Sequence, residues 1–234
     1  MLLFTFALRG SIGFGGAVGL PLLALAIPVK ILAPAWSLIG IVSSGAIVGH
    51  DRKHIARREF VGMLPGCALG VAAGLFLFKA FDASLLARCL GGFVILYAGY
   101  SYWTSIRASE SPPVPASVLK PFASFFSGAV GTMFGAMASI FFSIYLDAAG
   151  SNKLAFRATL SAMLLTLSVV RAIGYAAVNE LTLDSFILTA AAAPAMGLGL
   201  LVGDRVYTGL SEKTYKLVVC AALLVCGVLL LVKG

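Results

Sequence analysis

The sequence predicts an all-α polytopic membrane protein. About eight hydrophobic segments form two inverted four-segment repeats, the first segment of each repeat being broken or re-entrant. Three observations carry this expectation. Of 234 residues, 60% are hydrophobic and only 11% are charged, with a mean hydropathy of +1.03. Soluble domains carry about 25% charged residues, so this chain has too few charges to clothe a globule in water. Apolar runs approaching or exceeding the roughly 20 residues needed to span a bilayer recur along the chain. Glycine and proline patterns in the first half return in the second. A soluble enzyme, a disordered chain and a fibrous repeat are excluded on composition alone.

The segments are residues 2–28, 34–49, 60–78, 85–103, 121–146, 154–178, 186–203 and 215–232. Between the fourth and fifth lies Ser109-Glu110-Ser111-Pro112-Pro113-Val114-Pro115, a composition that reads as a linker. It divides the chain into repeat 1 (1–106), a linker loop (107–120) and repeat 2 (121–234). The first segment carries Gly10, Gly13, Gly15, Gly16 and Gly19, with Pro21 after them. Glycine in a helix interior costs up to about 1 kcal/mol relative to Ala, so an interruption is expected there. The fifth segment, with Gly128, Gly131 and Gly135, is its weaker counterpart. Irregular backbone at membrane depth is tolerated where it is buried or lines a wet cavity; close helix packing through small residues is the alternative. The third segment has Pro65, Gly70 and Gly74, the seventh Pro194, Gly199 and Gly203, at a constant offset. The Gly66, Gly70, Gly74 row reads chiefly as a helix-packing ridge.

Charge distribution tests the topology. Of the 17 Lys and Arg, Arg9 and Arg171 lie within segments. If every segment crosses, the remaining fifteen divide seven to eight between the two sides, against the positive-inside rule. If the first segment of each repeat returns to the side it left, they divide eleven to four. The inner side then holds Arg52, Lys53, Arg57, Arg58, Lys120, Lys153 and Arg157 among others, and the outer side Lys30, Lys79, Arg88 and Lys233. The net charge of +8 is explained by this sorting. Nucleic acid is not an expected partner, because no basic stripe with interleaved aromatics is present.

Chemistry-bearing residues are few. The order Gly13-Phe14-Gly15-Gly16 is not a dinucleotide fingerprint, since the spacing differs and no strand precedes it. In a membrane such glycines let a helix stop and restart, presenting backbone N–H groups and a positive helix end to an anion. Arg9, Arg157 and Arg171 are the charges in or beside apolar segments. Intramembrane arginine is costly and usually faces a cavity or a partner, and its fork suits oxyanions. Snorkelling is the alternative for Arg9 and Arg157, and a structural ion pair for Arg171. Ser37, Ser43, Ser44, Thr132, Ser139, Ser143 and Thr159 complete the polar inventory, although such hydroxyls often serve their own helix. No acidic residue is expected at a span centre. His50 and His54 lie in a basic loop, where nearby cations oppose a metal. Cys67, Cys89, Cys220 and Cys226 lie in apolar runs without a CxxC pair. No Ser–His–Asp arrangement, HExxH or Walker motif occurs. No enzyme activity, metal or cofactor is expected, and a cleaved signal peptide is not expected in the first segment.

The glycine-rich opening 10–21, the basic loop after the second segment, the Pro65–Gly74 and Pro194–Gly203 patterns, and Ala155-Phe156-Arg157-Ala158-Thr159 together resemble the sulfite exporter TauE/SafE family, also called the 4-toluene sulfonate uptake permeases. The resemblance runs over nearly the whole chain, with a thinner glycine cluster in the second half, Gly131 to Gly135. It implies a bacterial or plant multipass protein of two related halves that moves sulfite, organosulfonates or other small organic anions.

The function expected is a secondary transporter of a small anion, sulfite, organosulfonate or a related carboxylate, working by alternating access at the repeat interface. The substrate is expected between Gly13, Phe14, Gly15, Gly16 and Gly131, Thr132, Phe134, Gly135. Arg157, and with it Arg171 or Arg9, balances its charge, and Ser37 and Thr159 line the site. The expected partners are the bilayer, the anion and a coupling proton or other ion; a homodimer is left open. A bacterial inner membrane is the expected location. A passive anion channel and a non-transporting module of a larger complex are the alternatives.

Overall fold

A computed structural model describes residues 15–106, 115–206 and 223–232. Among these there are helices and turns but no strand; an α-helix satisfies its backbone polar groups within the segment, one of the two ways open to a chain in lipid. The helices are α1 (Gly15–Ala24), α2 (Val29–Asp51), α3 (Arg57–Ala80), α4 (Ala83–Ile106), α5 (Ala116–Phe134), α6 (Ala138–Ala148), α7 (Lys153–Ala177), α8 (Leu183–Val206) and α9 (Leu223–Val232), with a short 3-10 turn at Arg52–His54. Stretches Val29–His54, Arg57–Ala80, Ala83–Ser101 and Leu154–Ala177 are long and apolar enough to cross a membrane; Ala138–Ala148, Leu183–Pro194 and Leu223–Val232 are shorter apolar helices.

The chain forms two compact units, each drawing on both halves of the sequence. One comprises Met1–Val29, Phe81–Pro113 and Ala195–Gly234, the other Lys30–Ala80 and Val114–Pro194. In the first unit, α4 and α9 run antiparallel and touch at glycines. A Cβ on Gly91 would lie 2.8 Å from the Gly227 carbonyl, and one on Gly227 would lie 2.6 Å from the Ile95 side chain.

The second unit is better defined by its side chains. Its spine is the pair α3 and α5, which run parallel in one register. Gly62 meets Lys120, Gly66 meets Ser124, Gly70 meets Gly128 and Gly74 meets Thr132. The four-residue spacing on both helices places small residues along one ridge. Without a hydrophobic force between helices in lipid, such close approach is what holds them together. The Gly66–Gly74 row is thus the packing ridge its spacing predicts. At the centre the contact is backbone to backbone: a Cβ on Gly70 would come 2.1 Å from the Phe125 carbonyl, and one on Gly128 would come 2.4 Å from the Cys67 carbonyl.

The remaining helices of this unit are placed by specific pairs. Helix α7 runs parallel to α3, with Thr159 at Ala56 and Gly174 against Leu75. It runs antiparallel to α2, with Arg157 at Asp51, Gly45 against Leu165, and Arg171 at Ala33. The start of α8 follows α2 in parallel: Ser185 donates to the Ile31 carbonyl and Thr189 to the Ala35 carbonyl. Apolar side chains of α3, α5, α6 and α7 fill the centre, among them Met63, Val71, Phe142, Leu160 and Leu167.

These directions sort the charges of the unit to its two ends. Arg52, Lys53, Arg57, Arg58, Lys120, Lys153 and Arg157 belong to the end where α2 finishes and α3, α5 and α7 begin. Lys30 and Lys79 belong to the opposite end, with Glu180. For this unit, the sorting expected from the sequence and the one in the structure agree. Arg88 follows the unit boundary and belongs to the first unit, and Lys233 lies outside the described residues.

Candidate functional site: the tip of a helical hairpin

The fifth hydrophobic segment is not one helix. Helix α5 stops at Phe134, Gly135 takes a left-handed conformation with φ 84°, and its N–H closes on the Gly131 carbonyl. Glycine adopts this conformation without a Cβ penalty, which is why helices commonly stop on it. Met137 is left-handed as well, with φ 73°, a conformation that strains a side-chain-bearing residue by roughly 1–3 kcal/mol. Helix α6 then starts at Ala138 and runs back beside α5. Ser127 donates to the Ala138 carbonyl at 3.2 Å, a Cβ on Gly131 would lie 2.9 Å from that of Ala138, and near the other end the Lys120 ammonium sits 5.7 Å from the centre of the Tyr145 ring. The segment therefore folds back to the end from which it set out.

The tip is held by α7. Arg171 and Tyr175, four residues apart and hence on one face of that helix, reach the break together. The Arg171 Nη2 donates to the Gly135 carbonyl at 2.9 Å and to the Ala33 carbonyl of α2 at 3.4 Å. The Tyr175 hydroxyl donates to the Thr132 carbonyl. The Thr132 carbonyl lies in the last turn of α5 and the Gly135 carbonyl just past it, where terminal C=O groups lack intrahelical partners and the helix dipole is negative. Arg171 is 3% exposed and Tyr175 fully buried. The expected alternative for Arg171, an ion pair, is not what the structure contains: its partners are carbonyls, and no carboxylate pairs with it among the described residues. Its Nε is buried with no hydrogen-bond partner among the described residues, and the Ser143 hydroxyl on α6 is in the same condition.

The other side of the break has the opposite polarity. Met137 supplies no side-chain cap; the Ile140 N–H closes on the Met137 carbonyl at 3.1 Å, while the amides of Ala138 and Ser139, the first two of α6, have no carbonyl of their own helix before them. A helix start, a buried guanidinium with a free donor and a strained turn thus meet at one point.

Of the residues singled out from the sequence, the structure brings Gly131, Thr132, Phe134, Gly135 and Arg171 to this tip. Ser37 lies one turn beyond Ala33 on α2, fully buried, and its hydroxyl donates to the Pro34 carbonyl of its own helix at 2.6 Å. The Thr132 hydroxyl likewise serves Gly128. Arg157 and Thr159 are not at the tip. They sit at the far, basic end of α7, where Arg157, with a side chain 54% exposed, pairs with Asp51 at 3.4 Å, and Thr159 accepts the Ala56 N–H at 2.9 Å. Gly15 and Gly16 open α1 in the other unit; Arg9, Gly13 and Phe14 lie outside the described residues.

Sequence reasoning missed two participants. Tyr175 could have been found from its four-residue spacing to Arg171. Glu59, in the first turn of α3, accepts hydrogen bonds from Lys120 at 3.1 Å and from the Tyr145 hydroxyl, tying the returning end of α6 to α3 and α5. Nothing in the sequence marks that trio, because its members come from three separate helices.

Comparison with curated proteins gives no match, and neither does comparison with solved structures. Comparison with family models gives one, the sulfite exporter TauE/SafE family, over residues 1–230. A match of that extent, on a chain with several membrane-length helices and a hairpin break where its glycines lie, identifies a multi-pass membrane protein of transporter type that belongs to the sulfite exporter TauE/SafE family.

Proposed function

We propose that the protein is a secondary transporter of a small oxyanion, sulfite, an organosulfonate or a related carboxylate, and that the anion binds at the tip of the α5–α6 hairpin. The observation that carries this is Arg171. A cation buried in an apolar span without a carboxylate partner is expensive, and here one donor edge serves the carbonyls of the break while the Nε is unserved. An anion supplies the missing charge and acceptor. The Ala138 and Ser139 amides at the start of α6 supply the further donors that a tetrahedral or planar oxyanion needs. Ser143 is a third candidate donor on the same short helix.

Two further elements belong to this reading. The halves 1–106 and 121–234 are repeats of opposite orientation, each opening with a segment that re-enters. The fold-back of α5 and α6 and the sorting of basic residues in the second unit support this. The end bearing Arg52, Lys53, Arg57 and Arg58 faces the cytoplasm of a bacterial cell, and movement proceeds by alternating access. Catalysis has no part in it.

The test is uptake of sulfite and of a short alkyl sulfonate into proteoliposomes. Arg171→Gln is expected to reduce transport of both at least tenfold, and Arg171→Lys, which keeps the charge but loses the fork, to reduce it less. Arg157→Gln is expected to transport normally. Full transport by Arg171→Gln, in protein shown to be folded, overturns the site.

A further inference from the structure

The basic end of the second unit carries two adjoining recesses that the transport reading does not use. One is an apolar cleft of about 170 Å³ between α3, α6 and α7, lined by Phe60, Met63, Cys67, Val71, Phe142 and Val170 among others. Ala68 and Val170 at its rim are exposed, so the cleft opens sideways out of the helix bundle. An apolar cavity of about 150 Å³ excludes water and takes an apolar guest, and in a bilayer the guest present at such an opening is hydrocarbon. The other is an open recess of about 630 Å³ lined by Arg52, Lys53, Ile55, Arg57, Phe60 and Val61. Its three basic side chains are exposed, and none forms an ion pair among the described residues. Phe60 lines both recesses, so one molecule with an anionic head and an apolar tail fits them together.

We propose that this is a binding site for an anionic phospholipid of the inner leaflet, with its phosphate held by Arg52, Lys53 and Arg57 and an acyl chain lying in the cleft below Phe60. Basic recesses at the cytoplasmic ends of membrane helices attract anionic headgroups; the cleft adds what a mere orientation signal lacks, a seat for one chain. The basic side chains are far from Arg171, which lies toward the opposite end of α7 from Arg157 and its neighbour Asp51; the inner end of the cleft, at Leu167 and Val170, reaches the turn of α7 that carries Arg171, so the two sites are told apart by variants at the basic end and at Ala68 rather than by distance.

The experiment is native mass spectrometry of the full chain released from nanodiscs of equal phosphatidylglycerol and phosphatidylcholine with matched chains. Wild type is expected to retain one phosphatidylglycerol in preference to phosphatidylcholine by at least tenfold. Arg52→Gln/Lys53→Gln/Arg57→Gln is expected to abolish the preference, roughly fivefold per charge removed. Ala68→Trp, which fills the cleft from an exposed position and leaves the basic side chains in place, is expected to abolish retention. Equal retention of both lipids by wild type, or unchanged phosphatidylglycerol retention by Ala68→Trp, overturns the proposal and leaves only a basic belt with ordinary surrounding lipid. Arg171→Gln is expected to retain phosphatidylglycerol as wild type does, whatever its effect on anion transport.

Discussion

Helix α7 carries two arginines about four turns apart, and they live in different worlds. Arg157 is half exposed at the basic end, with a carboxylate beside it and water within reach. Arg171 is buried at the hairpin tip, with two carbonyls for partners and a nitrogen left over. The first is a charge placed where charge is cheap, and removing it changes little. The second is a charge placed where it is expensive, and the fold has organised a helix break around it. The contrast teaches that the presence of an arginine in an apolar segment is weak evidence of a site, and that the partner decides: a carboxylate cancels the charge, whereas a carbonyl leaves it available.

The harshest way to break the contrast is to remove the ridge that positions the tip. Gly128→Leu drives a side chain into the Cys67 carbonyl and the Gly70 backbone, where nothing flexible can yield. Overpacking of this kind costs about 1–3 kcal/mol or more, and loss of the folded-protein peak in size-exclusion chromatography is expected. Next is Arg171→Gln. Beyond its effect on transport, it leaves the Gly135 carbonyl buried without its charged donor, at about 1–3 kcal/mol, read as a clear fall in the thermal unfolding midpoint. Tyr175→Phe removes one hydrogen bond at the same tip. Interhelical bonds in membranes average about 0.6 kcal/mol, so a shift smaller than that of Arg171→Gln is expected in the same assay. Arg157→Gln is expected to change the midpoint least, since exposed ion pairs contribute about 0–1 kcal/mol. If Arg157→Gln destabilises as much as Arg171→Gln, the two environments are not distinct in the way described.

Much of the architecture was legible from residue types. Four-residue glycine spacing on the third segment announces a ridge because only small residues permit helices to touch through their backbones. The interruption of the fifth segment follows from Gly135, and the sorting of Arg52 to Arg58 away from Lys30 and Lys79 follows from the cost of translocating charge. Other features were not legible for equally physical reasons. The partner of Arg171 is a pair of backbone carbonyls, which every residue possesses and no sequence marks. Met137 adopts a positive φ that its side chain disfavours, so its type gives no hint of it. Glu59, Lys120 and Tyr145 converge from three helices, and their proximity exists only once the hairpin has closed. The pairing of Arg157 with Asp51, too, is a product of two helix ends meeting, and it removes that arginine from the group of tip residues to which its neighbourhood in sequence assigned it.

The turn at Gly135 and Met137 has a consequence for parity. A segment that crosses reverses the side on which all later chain must emerge; a segment that folds back does not. In the proposed topology, the two left-handed residues of this turn therefore set the side on which the chain after them emerges. Fusing α5 and α6 into one continuous rod in that topology would carry Lys153 and Arg157 to the face opposite Lys120 and turn an even count of crossings odd. On that reading, the conformations of two residues, with no change in charge or hydropathy, decide which way the rest of the chain faces.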